Sequence, residues 1–198
     1  PLANNMELFC EKMTFQYIGA SKTNWGGALV IAEANNQKYT FKNCNFKNIY
    51  ARQGALIATT ATAATPVSFT MEDCFVENCG LYEFNNICGL LFFKWGGTIN
   101  IKNTSFMNNS FEFHNQHPTT TPLGADNNRK QGLILHVGAV DAYPTSINIE
   151  NLNIVHSSIN AEITSLGTMI RIVAASPASV NELNMKGVVG IGNVREGT

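Results

Sequence analysis

Apolar and polar residues alternate in short bursts that recur along the chain. FKNCNFKN from Phe41 returns as MEDCFVEN from Met71, INIKNTSFMNN from Ile99 and INIENLNIVH from Ile147. Fainter copies begin at Cys10 (CEKMTFQY) and Val180 (VNELNMKG). Aligned on their last apolar position, the copies place Phe15, Phe46, Val76, Phe106, Ile154 and Met185 in one column, at steps of 31, 30, 30, 48 and 31 residues. Two positions earlier stand Met13, Cys44, Cys74, Thr104, Leu152 and Leu183, and five earlier Cys10, Phe41, Met71, Ile101, Ile149 and Val180. Period-two alternation marks a strand with one buried face.

A second apolar run follows a glycine in each repeat, at Gly27, Gly54, Gly89, Gly132 and Gly167. One side of it carries Val30, Ile57, Phe92, Leu135 and Ile170, the expected core set. The other carries Ile31, Ala58, Phe93, His136 and Arg171. Repeats of about 30 residues, each with two or three short strands, imply stacked coils in which every strand pairs with its copies above and below. The expected fold is all-β, a parallel β-helix of about six coils forming one domain over residues 1–198. A propeller fits less well, since its strands pair within a blade. The single long step is accounted for by residues 111–130, a polar stretch with two prolines that reads as a loop inserted into one coil.

Polar columns fit the same stacking. Lys12, Asn43, Asp73, Asn103, Asn151 and Glu182 share one position, and Tyr17, Asn48, Asn78, Asn108 and His156 another. Asparagine tolerates left-handed backbone, and stacked amides hydrogen-bond along an axis, so these read as turn ladders. Glu11, Lys42, Glu72, Lys102 and Glu150 alternate in sign in a further column, which sets register by opposing unlike charges between coils about 4.8 Å apart.

Composition narrows the function classes. Charged residues make up 14% of the chain, hydrophobic residues 44%, and the net charge is -1. That balance supplies no electrostatic basis for binding nucleic acid or an anionic membrane. No apolar run reaches the length of a membrane span. No signal peptide is read at Pro1, and the chain reads as a processed product, an excerpt or a repeat unit of something longer.

Five cysteines, Cys10, Cys44, Cys74, Cys79 and Cys88, lack the paired spacing of a zinc site. Cys44 and Cys74 are expected as stacked core thiols. Cys79 and Cys88 flank the turn between two strands and are the disulfide candidate in an oxidising compartment. Asn103 and Asn108 open the two glycosylation sequons. His114 and His117 beside Glu112, and the oxygen-bearing run Asp126, Asn127, Asn128, are loose ligand sets in the insertion, more simply read as solvated loop residues. His136 and Arg171 share a column and could contact an anion or a sugar. Trp25 and Trp95 stand beside glycine pairs, as sugar-stacking or coil-edge residues. No cofactor is implied.

With these columns in place, the sequence resembles the right-handed parallel β-helix superfamily that includes pectin-lyase-like proteins. GGAL at Gly26, GGTI at Gly96 and FMNN at Phe106 are similar to the repeats of polymorphic outer-membrane proteins and related surface adhesins. The resemblance implies right-handed coils and, with the sequons, an extracellular or cell-surface location. Enzymes of this fold are expected to cluster carboxylates on one outer face, whereas here the outward glutamates alternate with lysines. The expectation is therefore a non-catalytic structural protein that stacks head to tail with copies of itself. A glycan- or receptor-binding adhesin using the insertion comes next, and a polysaccharide lyase or hydrolase third.

Overall fold

A computed structural model describes residues 4–19, 29–32, 34, 36–51, 54–59, 66–81, 89–112, 132–160 and 168–196. Its strands pair in parallel, coil upon coil, as a β-helix. The first face stacks Glu7–Glu11, Gln37–Lys42, Val67–Glu72, the leading halves of Gly97–Met107 and Thr145–Val155, and Val180–Lys186. The second stacks Thr14–Gly19, Asn45–Ala51, Phe75–Glu77, the trailing halves of the same long strands, and Val189–Ile191. A short third face follows through Gly80–Leu81, Ser110–Glu112, Ser158–Asn160 and Val194–Glu196. The fourth carries Val30–Ala32, Ile57–Thr59, Leu91–Phe93, Gly132–Ala139 and Thr168–Ala174.

Two of the corners between these faces, on either side of the second, are each a single residue with left-handed backbone. Lys12, Asn43, Asp73, Asn103 and Asn151 (φ 47–55°) with Gly187 (φ 65°) form the first column. Tyr17, Asn48, Asn78, Asn108 and His156 (φ 47–57°) with Gly192 (φ 59°) form the second. A side chain with a Cβ is strained in this region, by about 1–2 kcal/mol per residue. Asparagine lowers that cost, and its amide adds a bond to the next coil. Asn103 Nδ2 donates to Asp73 Oδ1 at 3.0 Å, and Asn151 Nδ2 donates to Asn103 Oδ1 at 2.9 Å. At Gly187 a Cβ would come within 2.6 Å of Asn151 Oδ1, so the ladder ends on a residue without one.

The last coil departs from the repeat alignment. Met185 pairs with Ile149 and Leu183 with Ile147, while Gly190 pairs with Ile154. Val180 stands beside Thr145 and Glu182 beside Ser146, so Glu182 is not a corner residue. The physical reason lies in the corner itself. A left-handed residue interrupts the alternation, so positions five apart on either side both point inward. Apolar content alone cannot then distinguish the two registers.

The fourth face differs by a one-residue slip. Leu91 stands between Ile57 and Leu135, so Phe92 aligns with Ala58 and His136 on the outward side. Phe92 is nonetheless 1% exposed and Phe93 0%. Both sides of this face are buried at its middle rungs, which removes the burial contrast that alternation relies on.

Inside, one hydrophobic cluster runs from Cys10 to Ile159. Phe15 and Phe46 stack with centroids 5.2 Å apart, and Phe41 meets both rings edge-on at 6.0 and 5.4 Å. Burying each such side chain stabilises the fold by roughly 1.5–3 kcal/mol. The corner geometry generates the first prediction. Asn103→Val should lower unfolding free energy by about 2 kcal/mol through left-handed strain and loss of its amide bonds. Asn103→Gly should cost less than half as much, both read from urea denaturation.

Candidate functional site

Outward side chains of the first two faces form paired charge columns. Lys42 Nζ lies 2.9 Å from Glu72, Lys102 Nζ 3.6 Å from Glu150, and Lys47 Nζ 3.2 Å from Glu77. Lys38 Nζ lies 2.7 Å from Glu7 in a neighbouring column. Glu11 stands opposite Lys42 in the strand register. The Lys42 ammonium is held above its ordinary range, first by its bond to Glu72 and more weakly by Glu11. These pairs are exposed, so their main effect is on which rungs oppose each other rather than on stability.

Just past each corner, inward side chains bond the backbone. Cys44 Sγ donates to the carbonyls of Lys42 (3.3 Å) and Cys10 (3.5 Å), and Cys74 Sγ to those of Glu72 (3.2 Å) and Phe41 (3.5 Å). Thr104 Oγ1 occupies the next rung and donates to Lys102 at 2.9 Å. Cys44 and Cys74 are free, buried thiols in one column. Burial pushes the Cys74 thiol up to about 12.

The second corner has a matching interior column that the repeat analysis passed over. Cys79, Asn109, Ser157 and Asn193 follow one another along it. Asn109 Oδ1 accepts from the Cys79 amide at 2.9 Å, and its Nδ2 donates to the Val76 carbonyl at 3.2 Å. Asn193 repeats the arrangement two coils on, accepting from Ser157 N at 2.9 Å and donating to Ile154 O at 2.8 Å. The signal was present as an Asn-Asn pair at 108–109, whose second residue faces inward. Cys79 itself is a buried free thiol pushed up to about 11 by burial. Its disulfide candidate Cys88 lies outside the described residues.

Of the sequon asparagines, Asn103 has both ends of its amide engaged in the first ladder. Asn108 is an exposed corner residue of the second. Most of the insertion lies outside the described residues, with His114, His117, Asp126, Asn127 and Asn128, as do Trp25, Gly26, Gly27 and Gly167. Glu112 ends a third-face strand. Trp95 is half-buried, with Lys94 Nζ 4.7 Å from the centre of its ring. Among the described residues no group of three or more His, Cys, Asp or Glu is placed to hold a metal, and no helix is long and apolar enough to cross a membrane.

Two further features stand out. An open groove of about 530 Å³ lies against the start of the first-face strands, lined by Asn36, Lys38, Ser68, Thr98, Tyr143 and Pro144 among others. Tyr143 is 41% exposed there. On the fourth face, His136 and Arg171 are strand neighbours. His136 is 2% exposed and lies 5.6 Å from the Phe92 ring, centre to centre. Burial, and then the positive Arg171, lower its pKa to about 3.

No family model, curated protein or solved structure matches the chain.

The buried imidazole makes a pH prediction. Its folded pKa of about 3 lies below the unfolded value near 6.5, so the unfolded chain takes up the proton first. In chloride buffer, stability should be full above pH 6.5 and fall as pH drops towards 3. His136→Leu should flatten that slope between pH 6.5 and 4.5, where carboxylates contribute little, as read from urea midpoints.

Proposed function

We propose that the chain is a structural β-helix of pectin-lyase-like architecture, working outside the cell as a stiff rod that lengthens by stacking on copies of itself. One observation supports this reading: outward lysines and glutamates of successive coils pair along columns, so the charge pattern itself favours rung stacking on rung. Leu183 and Met185 are 49% and 45% exposed, although their column neighbours Ile147 and Ile149 are 0% exposed. On the opposite rung Met13, in the column of Cys44 and Cys74, is 45% exposed. A further rung over either end, whether from adjoining sequence or from a second copy, covers this apolar surface and pairs its strand edge.

Charge supports the same docking in one column and opposes it in another. A copy seated in register brings Lys186 beside Glu11 and continues the alternation of signs. It also brings Glu182 beside Glu7, a repulsion between exposed groups that salt screens. The neutralised columns favour a non-catalytic role, since Glu72, Glu77 and Glu150 are each committed to a lysine. Negative-stain electron microscopy over a range of concentrations tests the reading. Rods that lengthen with concentration are expected, and discrete particles at every concentration contradict it.

A second reading, contact with surface glycans, is favoured by the groove beside Tyr143. Its exposed ring and the hydroxyls of Ser68 and Thr98 offer the mixed apolar and hydrogen-bonding surface that sugars require. The two readings are compatible, because the groove lies on the flank of the rod.

A further inference from the structure

The outward column of the fourth face runs Ile31, Ala58, Phe92, His136, Arg171, one residue per coil. Its middle is shielded from water, with Ala58 at 0%, Phe92 at 1% and His136 at 2% exposure. Two polar atoms in this shielded column, His136 Nδ1 and Arg171 Nε, have no hydrogen-bond partner among the described residues. The backbones are also close here. The strand register shifts between Gly132 and Leu135, and a Cβ at Gly132 would stand 2.8 Å from the Arg171 amide nitrogen.

An unsatisfied guanidinium nitrogen shielded from water is costly, because arginine cannot shed its charge. His136 Nδ1 on the neighbouring strand faces the same deficit, and in the Nδ1–H tautomer of the neutral ring it is a second donor. Both are relieved by one species, an oxyanion whose oxygens accept from Arg171 Nε–H and from the His136 ring nitrogen. The guanidinium edge suits such a group because its N–H vectors are parallel. Arg171 remains partly exposed, so this side of the column is open to solvent. We propose that His136 and Arg171 form a binding site for a small oxyanion, a carboxylate or phosphate group, on the flank of the fourth face.

The test is thermal unfolding of the whole chain in chloride, acetate and inorganic phosphate at matched ionic strength. A saturable rise in Tm of about 5 °C or more at a hundredfold excess over Kd is expected in acetate or phosphate and not in chloride. A rise in phosphate alone identifies a tetrahedral anion, and a rise in acetate alone a carboxylate. The rise should vanish in Arg171→Met, which also removes the uncompensated charge. No rise in either anion, or an equal rise in the variant, overturns the proposal. Should that variant fail to fold, the wild-type His136 ring ¹⁵N resonances decide. A saturable shift of Nδ1 on adding the anion supports the site, and unchanged resonances overturn it.

Discussion

The structure depends on placing two single-residue left-handed corners in every coil, five residues apart. Lys12 and Tyr17, Asn43 and Asn48, Asp73 and Asn78, Asn103 and Asn108, Asn151 and His156, and Gly187 and Gly192 all keep that interval. A one-residue corner leaves no slack, so the strand between the two corners has the same length in each coil and the rungs superimpose. Most of these positions carry asparagine or glycine, the residues that bear positive φ at least cost. Lys12 and Tyr17 bear it as ordinary residues, both on the first rung.

A tight corner also brings polar backbone into the core. The interior side chain after each corner answers that need. Cys44, Cys74 and Thr104 donate to carbonyls at the first corner, and Asn109 and Asn193 bridge an amide and a carbonyl at the second. These residues are polar because buried backbone groups must be paired. The same burial raises the thiol pKa of Cys74 and of Cys79. The cysteines here act as small donors within the apolar core cluster.

Much of the coil architecture was legible because the corners repeat in residue type. Asn43, Asp73, Asn103 and Asn151 stand out as a column, and the lysine–glutamate alternation follows beside them. Legibility failed where residue types stopped being distinctive. Gly187 and Gly192 replaced asparagine in the last coil, and the inward positions on both sides of the corner are apolar, so the alignment slid by five residues. It failed again at Phe92, where both sides of the strand are buried and a one-residue slip leaves no trace in hydropathy. Candidate chemistry was harder still. The groove at Tyr143 arises from residues remote in sequence, and no local spacing announces it, whereas the repeat alignment already set His136 and Arg171 in one column. The ladders that do announce themselves encode how coils stack, which is information about the rod and not about what it touches.

The most direct measurement of the corner-set register is disulfide trapping across the last two coils. Lys186 stands opposite Glu150 in the structure, within the Cα separation a disulfide spans, whereas alignment on apolar residues sets it beside Val155. Under mild oxidation the double variant Glu150→Cys with Lys186→Cys should cross-link in the folded state, and Val155→Cys with Lys186→Cys should not. Efficient trapping of the second pair and not the first would contradict the account.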